Sequence, residues 1–175
     1  GQYDPNLDAP NATYESLLGV SPGTYAPTTD DADIIKKLIP ALSSRGIRLM
    51  LYYPLSGPRP SAGNNSDINK LSFPSQLGAT VNWNTGAITY TQTFLNNIAS
   101  IIKVYSDRYG TGISGWWLDD AFSVYGLNNS NRSWLDSVRN AAKSGNSDSV
   151  ITFNRGVDTF KRYYENDDYL AGEAS

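Results

Sequence analysis

The 175-residue chain is predicted to be an α/β domain built on a parallel sheet, and three features of the sequence predict it. Stretches with helical periodicity alternate with short apolar runs, Gly, Pro and Asn clusters separate them, and polar residues follow the apolar runs four times over. The order α-β-α-β-α-β-(α)-β is the alternation expected of parallel strands with helices packed outside them. No repeat or second domain is visible, so residues 1–175 read as one domain.

Residues 1–29, rich in Pro, Asn, Thr and Gly, read as an irregular lead-in. Thr29 or Asp30 is the expected N-cap of the first helix. Ile34, Leu38, Ile39 and Leu42 follow at helical spacing, with Arg45 in the last turn and Gly46 as the stop. Pro40 is expected to weaken or kink this helix, because it has no N–H to donate. Residues 47–55 form a compact apolar and aromatic run ended by Ser56-Gly57-Pro58, a buried strand.

Residues 56–88 hold Gly, Pro, Ser and Asn throughout and read as one long loop, a length that in a compact domain marks function or mobility. Residues 90–109 carry Phe94, Ile98, Ile101, Ile102 and Tyr105 at helical spacing before Gly110, and that helix feeds a strand ending at Asp119. A loop at 121–130 leads to a helix over 133–143, with Trp134, Leu135 and Val138 on one side. Residues 149–154 are the next strand, 157–164 a short helix and 169–173 a weak final strand.

Composition removes several kinds of chemistry. The chain has neither Cys nor His, which excludes disulfides, thiolate nucleophiles, the usual zinc ligand sets and a Ser-His-Asp triad within it. A net charge of −3 offers no basic stripe for nucleic acid, and no apolar run is long enough for a membrane span. Carboxylates, Tyr, Lys and Arg must carry any reaction, with neutral or small partners. Four Asn-x-Ser/Thr sequons, at Asn11, Asn64, Asn128 and Asn131, lie in polar stretches and favour a secreted glycoprotein.

In parallel α/β architectures, sites form at the carboxyl ends of the strands. The residues there are Tyr52 and Tyr53, Asp119 and Asp120, Asn154 with Arg155, and Glu173. Period-two alternation separates the paired aspartates. Trp117 and Asp119 share one face, with Thr152 and Asn154 of the next strand; Trp116, Leu118, Ile151 and Phe153 face the helices. Asp120 is then a loop or helix-cap residue. A carboxylate above an aromatic floor suits glycoside hydrolysis, where one carboxylate attacks the anomeric carbon and a second protonates the leaving oxygen. Position alone leaves Asp119 equally open to a capping or ion-pairing role, and Tyr52-Tyr53 more often means core than ligand platform.

Four segments carry a family resemblance: Gly46-Ile47-Arg48-Leu49-Met50-Leu51-Tyr52-Tyr53; Tyr109-Gly110 leading to Gly115-Trp116-Trp117-Leu118-Asp119; Phe153-Asn154-Arg155-Gly156; and Asp168-Tyr169 ahead of Glu173. Together they resemble the α-L-fucosidase family of retaining glycosidases, glycoside hydrolase family 29. The resemblance implies a (β/α)8 TIM-like barrel, of which this chain would supply about four β/α units. Further chain segments would complete the barrel. It implies Asp119 as nucleophile and Glu173 as acid/base, with Tyr52, Trp117, Asn154 and Arg155 around a carbohydrate substrate. No metal or organic cofactor is implied. Members of that family hold the fucose hydroxyls with histidines, which this chain lacks. The competing expectation is a non-catalytic glycan-binding or structural surface protein built on the same barrel.

Overall fold

A computed structural model describes residues 33–56, 74–121, 132–154 and 169–171. These form a mixed α/β structure around a parallel sheet. Helix α1 spans Ile34–Ser43 and strand β1 Met50–Pro54; β2 (Thr80–Asn82) and β3 (Ala87–Thr89) make a hairpin. Helix α2 (Gln92–Tyr109) follows, then β4 (Gly115–Asp119), α3 (Arg132–Lys143), β5 (Val150–Asn154) and β6 (Tyr169–Ala171). The main sheet has the order β1-β4-β5-β6, all pairs parallel. Each described strand of this sheet therefore lies beside its predecessor, with α2 and α3 as crossovers.

Among the described residues the expected helices and strands form, with shifted ends; the short helix expected over 157–164 lies outside them. The N-cap of α1 is Asp33, whose Oδ1 accepts from the amides of Ile35 and Lys36, both at 3.1 Å. Thr29 and Asp30 lie outside the described residues. The helix runs on through Pro40. Its exit explains why β1 starts three residues later than expected: Gly46 takes a φ of +69°, and the Ile47 amide reaches back to the Leu42 carbonyl at 3.0 Å. Residue 47 thus belongs to the helix stop, since a bond to that carbonyl is the kind of pairing that satisfies a helix end.

The stretch expected as one loop over 56–88 contains the β2–β3 hairpin. Its turn is closed by Asn82, whose Oδ1 accepts from the amides of Asn84 and Thr85 at 3.0 and 3.2 Å. Each of its strands has three residues, too few to reveal alternation. Asn97 Nδ2 and Thr91 Oγ1 of the following helix donate to the carbonyls of Leu77 and Gly78, tying the hairpin's base to α2.

The core lies between the helices and one face of the sheet. Tyr53, Trp116, Leu118, Ile151 and Phe153 project from the strands, meeting Phe94, Ile98, Ile101 and Ile102 of α2 and Trp134, Leu135 and Val138 of α3. Removing this apolar surface from water drives the layers together, at about 25 cal/mol per Å². Polar bonds then fix their alignment. Trp134 Nε1 donates to the Leu95 carbonyl at 2.7 Å, and Ser106 Oγ donates to the Ala142 carbonyl at 2.7 Å while accepting from the Gly145 amide at 3.0 Å.

Beside the C-terminal end of α2, Asp33 is fully buried. Arg108 Nε donates to its Oδ2 at 2.7 Å, and the Tyr109 hydroxyl lies 3.1 Å from both oxygens. Burial, with the Asp33 charge beside it, raises the Tyr109 phenol well above its usual range. For Arg108, burial opposes the charge, but the bond to Asp33 and its negative charge leave it more firmly protonated than usual.

Two predictions follow from this packing. A Cβ on Gly145 would stand 1.9 Å from the Ser106 carbonyl oxygen, so Gly145→Ala should lower unfolding free energy by about 1–3 kcal/mol, read by urea denaturation. Tyr109 binds its proton more tightly folded than unfolded, so its contribution is complete below the unfolded value near pH 10 and is lost as pH rises beyond it. Tyr109→Phe should therefore be less stable than wild type at neutral pH, with the difference shrinking above about pH 10 in pH-dependent melting.

Candidate active site

Three strands converge on Asp119. Parallel register aligns Tyr52 with Trp117 and Trp117 with Thr152, so these side chains share the face opposite the helices. Asp119 ends β4 one step beyond that row, and Asn154 ends β5 beside it. Tyr52 Oη donates to Asp119 Oδ2 at 2.6 Å. Asn154 Nδ2 donates to Oδ1 at 2.9 Å, and the Asp120 amide donates to the same oxygen at 2.8 Å. A strand-end carboxylate is thus held by a phenol, an amide and a backbone N–H, each from a rigid element or its edge.

The two tyrosines of β1 separate by alternation: Tyr53 is 4% exposed in the core, while Tyr52 is 51% exposed on the site face. The aspartates separate likewise. Asp120 takes a φ of +58°, in the left-handed region that Asp tolerates better than most residues. Its Oδ2 accepts from Ser56 Oγ, joining the end of β4 to the second residue past β1. Ser56 escaped the sequence reading because its partner is 64 residues away; the serine directly after an apolar run was the available cue.

Trp117 is partly buried on the site face, and Asn154 is 6% exposed. Strand β6 leads toward Glu173 and stands two strands from β4. Glu173, Arg155 and the sequon residues Asn11, Asn64, Asn128 and Asn131 lie outside the described residues. Among the described residues, no group of three or more His, Cys, Asp or Glu is placed to hold a metal ion.

The fold is similar to part of several solved glycoside hydrolases. A histidine-to-glutamine variant of the endo-fucoidan hydrolase MfFcnA4, of glycoside hydrolase family 107, superposes on 96% of the chain with a TM-score of 0.65 and 18% identity. MfFcnA4 itself matches over 90% (TM-score 0.59, 17% identity), and the endo-fucoidan hydrolase MfFcnA9 over 86% (TM-score 0.56, 17% identity). The chain spans 29%, 26% and 30% of those proteins' lengths. They belong to family 107, not to the family 29 that the sequence motifs resemble. No family model matches the sequence, and no curated protein matches it.

The Ser56–Asp120 bond should be measurable as a coupling. In a double-mutant cycle, Ser56→Ala and Asp120→Ala should each destabilise the protein, and the double variant should lose less than the sum of the two. A coupling of about 1 kcal/mol is expected from chemical denaturation.

Proposed function

We propose that the chain carries the nucleophile of a retaining glycoside hydrolase acting on fucose-containing glycans. The observation that carries this reading is the Asp119 carboxylate, fixed by Tyr52, Asn154 and the Asp120 amide at the end of a parallel strand. The substrate class draws on two independent likenesses, the family 29 motifs of the sequence and the endo-fucoidan hydrolases that share the fold. An attacking carboxylate must be oriented before the sugar arrives, because near-attack geometry supplies much of the rate.

In this mechanism Asp119 attacks the anomeric carbon while an acid protonates the leaving oxygen, and water then releases the sugar with retention. Glu173 is proposed as that acid. It stands two residues after Ala171 in the sequence, and Ala171 is the register partner of Asn154. Trp117 and Asn154 would border the sugar, with Arg155 beyond them. The sheet is proposed as part of a (β/α)8 barrel: its described strands follow one another in sequence order, and Met50 and Tyr52 of its open face are 45% and 51% exposed, as expected where further chain would cover them. The four sequons support a secreted setting.

Asp119→Asn should reduce turnover of fucoidan and of an aryl α-L-fucoside by on the order of a thousandfold or more while leaving glycan affinity nearly unchanged. Reducing-end release and a binding isotherm read the two quantities. Full turnover by the variant removes Asp119 from the mechanism; glycan binding without hydrolysis by the wild type would return the non-catalytic reading.

A further inference from the structure

We infer that Oδ2 of Asp119 is the attacking oxygen and that Tyr52 is the positioning residue that selects it. This rests on Asp119 being the nucleophile. Each carboxylate oxygen presents two lone-pair sites. Those of Oδ1 are both engaged, by the Asp120 amide at 2.8 Å and by Asn154 Nδ2 at 2.9 Å. Oδ2 takes one bond, from Tyr52 Oη at 2.6 Å. Among the described residues, the carboxylate's remaining lone pair is therefore on Oδ2.

The donors also differ in what holds them. The Asp120 amide is backbone, and Asn154 is buried at the end of β5. Tyr52 is half-exposed, and its ring lies in the row below, beside Trp117. The two donors on Oδ1 thus act as a hinge that fixes one oxygen, while the phenol sets the rotation that aims the other.

The chemistry follows from this asymmetry. As the Oδ2–C1 bond forms, the C1–O bond to the leaving group breaks with its electron pair, and the leaving oxygen takes its proton from the acid. Oδ1 becomes the ester carbonyl oxygen and keeps both its donors. When water attacks C1, giving its proton to the conjugate base of that acid, the Oδ2–C1 electrons return to the carboxylate. The Tyr52 hydroxyl is already placed to receive the charge. A 2,4-dinitrophenolate leaving group needs no proton, so it isolates the nucleophile's contribution.

The test uses the complete protein, as wild type, Tyr52→Phe and Asp119→Asn, with fucoidan, 2,4-dinitrophenyl α-L-fucoside and the 2-deoxy-2-fluoro analogue of that fucoside. Tyr52→Phe should lower kcat by about tenfold or more on both substrates, the scale of one hydrogen bond to a charged group, with KM within about twofold. Its melting temperature should stay close to wild type, because the half-exposed ring is retained. The fluoro-sugar should label the Asp119 peptide of the wild type, more slowly in Tyr52→Phe, and a crystal structure of the adduct should show the ester through Oδ2. An ester through Oδ1, a label on Tyr52, an unchanged kcat, or a loss confined to KM each overturns the assignment while leaving a glycosidase in place. Full activity in Asp119→Asn instead overturns the nucleophile itself, and this inference with it.

Discussion

Parallel register between β1, β4 and β5 is the constraint on which the remaining geometry hangs. Tyr52 pairs with Trp117, and Trp117 with Thr152. A slip of β4 by one residue would turn Asp119 toward the helices and set Trp116 or Leu118 on the open face, because side chains alternate with period two. Such a slip would bury a charge and expose core apolar surface together. The apolar face of the sheet thus guards the placement of the carboxylate on its other face.

The helices make that register hard to change. Trp134 and Ser106 tie α2 and α3 through buried bonds to carbonyls, at the Leu95 and Ala142 positions. Asp33 locks the start of α1 to the end of α2 through Arg108 and Tyr109. Removing one partner of a buried charged pair costs far more than the pair contributes over an apolar replacement, so such a lock favours one arrangement more than it adds stability. Beside the site, Asp120 does the comparable task locally. Its left-handed backbone and its bond from Ser56 set the direction of an amide that donates to Asp119.

Much of this was legible in the sequence wherever a short-range pattern carried it. Alternation separated Asp119 from Asp120 and set Trp117 and Asn154 on one face, because a strand's parity is local information. The same parity divides Tyr52 from Tyr53, yet aromatic composition alone pointed to the core for both. The hairpin was hidden because Thr80-Val81-Asn82 and Ala87-Ile88-Thr89 are each too short to show a period. The ion pair of Asp33 with Arg108 and the link from Ser56 to Asp120 were invisible for another reason. Their partners are 75 and 64 residues away, and only the folded chain brings them together.

The β2–β3 hairpin sits in the connection between β1 and α2, yet it forms a sheet of its own. Its turn is closed internally by Asn82, its base is fastened to α2 by Thr91 and Asn97, and it carries Trp83 half-exposed at the tip. None of its pairing is shared with the strand that bears Asp119. Descendants of this gene are therefore free to lengthen, shorten or redecorate that arm without disturbing the pairing that sets the Asp119 carboxylate.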